Sequence, residues 1–435
     1  MNRTLRRLRW LALWCLAFTP LITFSQEGKV VLLEHADSLV GRVIGGEDVR
    51  ELIGAVKIRQ ENVHITCDRA LQFVKKGTVY LTGNVVLWDD SVTLTAPRAV
   101  YYRDERRAEA FEAVRLDDGK SVLTAGYGEY VFEPRRAFFR TRVLVRDSVS
   151  TLLADSLTYF RDERRSIAEG HVTVHYDPDN VTISGGHMVH DARHDFSRMT
   201  VSPVLTQLDT STSGRIDTLL VRSMVMESYR DSVQRLVAID SVEIVRADLA
   251  ALAALAVFYT RGDSILLRKS PVVWYQKTQV SGDSIDVYLA SRKLRQVSVM
   301  GNALAASQSD SLRPERFDQL TGDLLKMYFA NQVLSRIEVD TRAISVYHLY
   351  DDSLANGLNK TSGDRIIMMF DDGKVRSIKV VGGVEGNYYP ENMVAKRESE
   401  YAIPGFLWRE NRPALRPQPK NRTETSWQKK SNHPQ

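Results

Sequence analysis

Between Gly54 and Val174, apolar residues fall at every second position in short runs, and the runs recur. Val56 and Ile58 are matched by Val85 and Leu87, then by Val114 and Leu116, Val143 and Val145, and Val172 and Val174. A second set follows a polar stretch, with Val63 and Ile65 matched by Val92 and Leu94. Further on come a small or apolar residue (Ala70, Ala99, Gly128, Leu157) and, three positions later, Phe73, Tyr102, Val131 and Phe160. The segment YRDERR from Tyr102 returns as FRDERR 58 residues later, from Phe160, and half of that shift, 29, aligns every run. A period of two in β-branched and aromatic residues predicts strands with one buried face, and helical spacing is absent. The intervening Gln60–Asn62, Trp88–Ser91, Asp117–Lys120 and Asp177–Asn180 are polar and turn-forming, so each unit folds back on itself.

The spacing lengthens from about Gln234, where SGDSIDVYL (Ser281), TGDLLKMYF (Thr321) and SGDRIIMMF (Ser362) mark a second series. The chain therefore divides into an export segment (1–25), a first repeat block (26–233), a second (234–403) and a tail (404–435). Ala247 to Phe258, rich in Ala and Leu, reads equally as a short helix or a buried strand. The expected class is all-β: one elongated, open-ended repeat scaffold. By parity Val56, Ile58, Val63, Ile65, Val85, Leu87, Val92, Leu94, Val114, Leu116, Val143, Val145, Val172 and Val174 face inward. The same positions would be apolar in a solid β-solenoid with a closed core, so periodicity leaves an open groove and a filled interior as alternatives.

The ends narrow the compartment. Arg3, Arg6, Arg7 and Arg9 precede an uncharged apolar run from Trp10 to Phe24, with small residues before Gln26: the pattern of a cleaved secretory signal. Cleavage leaves Cys67 as the single cysteine, which excludes an internal disulfide. The formal charge of +5 is concentrated at the ends, since the signal holds four arginines and the tail seven Lys or Arg against two acids. The remaining body has dispersed charge and no electrostatic footprint for nucleic acid. The tail, with Pro404, Pro413, Pro417 and Pro419 among polar and basic residues, reads as disordered.

No catalytic constellation emerges. His187, His190 and His194, with His171 and His175 nearby, do not share one strand face and make no ligand triad for a metal. Asp-Ser recurs at Asp37, Asp147, Asp155, Asp231 and elsewhere as turn punctuation, and a nucleophile is needed only once. Acidic pairs such as Asp89 with Asp90, Asp117 with Asp118 and Asp351 with Asp352 fall in expected turns, which weighs against a carbohydrate-cleaving β-helix. No cofactor site is expected.

The Gly-x-Val-x-aliphatic segments at Gly54, Gly83 and Gly170, the VTLTAPRAVYY segment from Val92 and the export signal together resemble the OstA-like (LptA-type) family of periplasmic lipopolysaccharide-transport proteins. The resemblance implies a V-shaped β-jellyroll whose apolar inner face, here the fourteen positions above, shields the acyl chains of lipopolysaccharide or a related glycolipid on the way to the outer membrane. It also implies open sheet edges, at Lys29 to Leu33 and Val375 to Val381, that join other OstA-like envelope proteins or a second copy end to end. A structural or adhesive envelope solenoid without lipid is the alternative.

Overall fold

The computed structural model describes residues 31–415 except 90, 211–215, 248, 260, 291–292, 311, 332, 352–353 and 372–373. The export segment, Lys29, Val30 and residues 416–435 lie outside the described residues. The described chain forms one antiparallel sheet of 28 strands, followed by two one-turn helices at Glu391–Val394 and Glu398–Tyr401. From Glu47–Gln60 to Arg165–Tyr176 each strand pairs with the strand before and after it in sequence, as in Val63–Phe73 between Glu47–Gln60 and Thr78–Trp88, whereas shorter strands further on also pair past a neighbour, as in Phe196–Thr200 with Val225–Tyr229. Leu249–Tyr259 is a strand, which settles the ambiguous Ala-Leu run.

The long strands from Glu47–Gln60 to Arg165–Tyr176 are each folded across a corner near their middle. Alternate strands carry two successive residues in left-handed conformation there: Gly54 and Ala55, Gly83 and Asn84, Glu112 and Ala113, Thr141 and Arg142, Gly170 and His171. The register shifts at each pair, so that two residues oppose one and the strand bends. The 29-residue unit is thus two folded strands, and the repeated glycines mark corners inside long strands rather than strand starts. Gly83 shows the local reason: its φ is +75° and an added Cβ would stand 2.3 Å from the Asp68 carboxylate across the corner. The single opposing residues are Asp37, Asp68, Pro97, Gly126 and Asp155, and a proline is tolerated inside a central strand because Pro97 sits at this break in the ladder.

The same corner unifies the two series of repeats. Asp283 and Asp364 of the later Gly-Asp marks sit against Gly301 and Gly382 as Asp68 sits against Gly83. Asp-Ser therefore has two uses: Asp37 and Asp155 are corner residues, while Asp147 and Asp231 accept backbone N–H groups two and three residues on and close hairpin turns. The sheet continues without a break through the expected boundary near 233, and the strands lengthen from Lys293–Asp310 onward.

The corner makes two walls facing one interior. One wall bears Val56, Val85, Val114, Val143 and Val172; the other bears Ala70, Ala99, Ala110, Ala137 and Ala168, and all belong to a single buried cluster. The YRDERR repeat belongs to the hairpin tips of the second wall. Tyr102 and Phe160 face outward beneath the guanidiniums of Arg107 and Arg165, at 3.9 and 4.5 Å from the ring centroids, and Glu105 and Glu163 each accept a 2.8 Å bond from those arginines.

The described part of the tail is ordered, contrary to the reading of residues from 404 on as disordered. After the two helices the chain runs back along the outer face of the sheet. Ile403 N–H donates to Gln319, Gln279 donates to Leu407 O and accepts from Arg409 N–H, and Trp274 Nε1 donates to Arg409 O. Phe406 and Trp408 pack on Phe317. Arg316, 1% exposed, anchors the start of this strap through Glu391 at 2.6 Å and Glu398 at 3.1 Å.

Candidate functional site: the interior of the folded sheet

All fourteen inward candidates lie on the valine wall. Val56, Ile58, Val63, Ile65, Val85, Leu87, Leu94, Val114, Val143 and Val172 are buried, with no more than 6% exposure, and Val92, Leu116, Val145 and Val174 are half-buried against them. The alanine wall opposite was missed. Its inward residues include Val79, Leu81, Ala99, Tyr101, Ala108, Ala110, Tyr130, Ala137 and Phe139. Alternation inverts across the corner, since Val63, Ile65 and Cys67 are inward before it and Ala70 after it, so parity carried from one wall fails on the next.

From Glu47 to Val172 the apolar side chains of these two walls pack against each other, and the space left is a polar recess of about 510 Å³ at the tips, lined by Glu61, Asp89, Arg106, Phe132 and Arg135. Phe139, Val143, Val114 and Ala110 are all fully buried. The wall tips are also tied together. Tyr101 Oη donates to Gln60 Oε1 at 2.7 Å, Arg106 pairs with Glu61 at 3.1 Å, and Arg161 reaches Asp89 and Tyr130, both at 3.3 Å. Tyr130 and Phe132 stack edge to face at 4.7 Å beneath these latches. The Asp89 carboxyl is held below the usual range: burial pushes it up, but bonds from the Ser91 hydroxyl and the Ser91 and Val92 backbone, with Arg161 beside it, outweigh that. Cys67 lies in this filled region, where burial raises its thiol pKa to about 11 and leaves it unreactive at neutral pH.

Beyond Val174 the interior opens. A groove of about 450 Å³ runs between walls formed by Val181, Ile183, Leu205 and Leu219 on one side and Leu236, Phe258, Ile265 and Leu289 on the other. A smaller space of about 80 Å³, lined by Val174, Met188, Met199 and Met226, adjoins it. Apart from Val174 none of these residues was among the sequence candidates. The groove is in the size range of sites that bury a small ligand. Arginines and tyrosines stand at its mouth: Arg230 lies over the Tyr176 ring at 4.9 Å and Arg235 over Tyr229 at 4.3 Å. Past Leu289 the interior fills again, with Val299, Leu325, Val339 and Ile366 fully buried.

The histidines are occupied singly. His171 bonds Asp155 at 2.8 Å, His175 bonds Thr182 at 3.0 Å, His190 bonds Ser197 at 2.9 Å and His194 bonds Asp191 at 2.7 Å. Among the described residues no group of three or more His, Cys, Asp or Glu is placed to hold a metal, and no helix is long and apolar enough to cross a membrane.

Both outer strands of the sheet have one unpaired edge among the described residues. At the start, Leu32–His35 and Ser38–Ile44 pair only with Glu47–Gln60, and Leu32, Leu33, Leu39, Val40, Val43 and Ile44 are exposed. At the other end, Lys374–Val381 and Glu385–Pro390 pair only with Leu354–Asp371.

No curated protein matches the chain. Among solved structures, one similar chain is LptH from Pseudomonas aeruginosa, described as the LptA-homologous periplasmic component of the lipopolysaccharide transport device. The likeness is at 15% identity over 33% of this chain and 95% of that chain, with a TM-score of 0.26. Residues 75–167, which contain the latches at Arg106 and Arg161 and three of the 29-residue corners, match the family described as OstA-like protein. Over that stretch the chain is similar to OstA-like proteins.

Proposed function

We propose that this protein is a periplasmic, non-enzymatic carrier of lipopolysaccharide or a related glycolipid, holding acyl chain between the walls of its folded sheet. The observation that carries the reading is the apolar groove between Val181 and Leu289, set between stretches of the same interior whose apolar side chains are fully buried. Each methylene removed from water is worth about 0.8 kcal/mol, so a chain of a dozen carbons gains roughly 10 kcal/mol in such a groove. The OstA-like match, and the secretory pattern of the first 25 residues, support the same compartment and cargo class.

The unpaired edges at Leu32–His35 with Ser38–Ile44 and at Lys374–Val381 suit the reading further. They offer backbone donors and acceptors to the sheet of another OstA-like protein or a second copy, which would extend the interior end to end. A structural role for the first block is the second reading, favoured by its filled and latched interior. Binding of fluorescent lipopolysaccharide to the purified chain separates the two. The carrier reading expects saturable binding that is lost in a folded Ile183→Glu variant; a folded parent chain that binds none would sink it and leave the scaffold reading.

A further inference from the structure

We infer that the mouth of the groove is an anion site, built by Arg230 and Arg261, for a phosphate-bearing headgroup whose acyl chain lies inside. This rests on the carrier reading and names the chemistry of its cargo: an acidic amphiphile, not a neutral one.

The argument begins with the partners of the arginines on the hairpin tips. In the filled half, Arg106 is neutralised by Glu61 and Arg161 by Asp89 across the interior. At the groove, Arg235 is neutralised by Asp231 at 3.0 Å on its own hairpin and Arg246 by Asp217 at 2.6 Å on a neighbouring strand. Arg230 and Arg261 line the same groove with no carboxylate partner among the described residues. Arg230 is fixed at its backbone by a 2.9 Å bond to Asp195 O and rests its guanidinium on Tyr176, a contact that orients the fork and satisfies none of its N–H groups. Arg261 is exposed on the adjacent tip.

Neither Asp147 nor Asp263 fills the role. Asp147 feels Arg230, yet its carboxylate is committed to Val149 N–H, Ser150 N–H and the Ser150 hydroxyl in its own turn. Asp263 lines the rim without an ion pair to Arg261. Two guanidiniums without an ion-pair contact over an apolar slot make an amphipathic receptor: the slot takes hydrocarbon, and the forks match a phosphate in bidentate geometry. A neutral headgroup would leave both cations as they are and gain only the hydrocarbon contribution.

The test uses the full chain and two detergents of equal chain length, dodecyl phosphate and dodecyl maltoside, each below its micellar threshold, with binding read by calorimetry. The expected result is a preference of about tenfold or more for the phosphate, the range set by hydrogen bonds to a charged group. That preference vanishes in Arg230→Gln/Arg261→Gln while dodecyl maltoside binding is unchanged, and Arg376→Gln on the distant edge strand retains it. Equal binding of the two detergents by the parent chain would overturn the anion site and leave the groove standing. Binding of inorganic phosphate alone as tight as that of dodecyl phosphate would also overturn it, as a site for free anions. Binding of neither detergent would remove the groove itself, and the carrier reading with it.

Discussion

Residues 47–172 and 174–289 are built from the same folded strands and the same corners, yet one interior is filled and the other is open. The difference lies in where the arginines of the hairpin tips find their acids. In the first region they cross between walls, Arg106 to Glu61 and Arg161 to Asp89, and draw the tips together over Tyr101, Tyr130 and Phe132. In the second, Arg235 pairs within its own hairpin and Arg246 with a strand on its own wall. The later part of the open region is braced from outside, by the strap on Trp274 and Gln279. A repeat thus fixes the scaffold, and a few charge pairings decide whether it is a solid core or a receptacle.

The largest expected effect comes from removing an aromatic ring on either side of this divide. Phe139→Ala should cost about 3–5 kcal/mol, because the ring is fully buried and the packed walls cannot collapse into its space. Phe258→Ala, beside a groove, should cost less than half of that, and equal shifts in urea midpoints would break the contrast. Next is Arg316→Ala, which strands Glu398 under the strap and should cost about 2–4 kcal/mol. Limited proteolysis should then cut between residues 404 and 412, while the filled region stays protected.

Arg161→Ala should cost less, about 1–2 kcal/mol, since the arginine is partly exposed and Asp89 keeps its turn bonds. Hydrogen exchange in Val122–Phe132 should quicken while that in the Ile183 strand does not. The smallest effect is acid sensitivity of the latch. Asp89 has a depressed folded pKa, so its contribution is complete above about pH 4 and is lost as pH falls through the folded value. Asp89→Asn should therefore flatten the decline in melting temperature between pH 5 and pH 3, and an unchanged slope would assign the acid loss to other carboxylates.

One wall of this fold was legible in the sequence and the other was not. Val and Ile at every second position announced the valine wall, whereas Ala70, Ala99 and Ala137 are too small to stand out, and the corner reverses which parity points inward. The corner itself was visible as a recurring glycine, but its role needed the backbone: Glu112 and Thr141 occupy the same left-handed position without the residue type that signals it. The latch joins Asp89 and Arg161, 72 residues apart, and no periodicity reports such a pair. The groove residues follow the same alternation as the filled core, so nothing local distinguished Ile183 from Ile65. The strap had one signal, the run Phe406, Leu407 and Trp408 amid polar and basic residues, which the composition of the whole tail obscured.

The central claim is that acyl chain occupies the region after Val174 and not the latched interior before it. Photo-crosslinking from a benzophenone side chain, placed at Phe258 in one variant and at Leu87 in another, tests it with lipopolysaccharide as the target. The account predicts a crosslink from 258 and none from 87 in folded protein; strong crosslinking from 87 with none from 258 would contradict it.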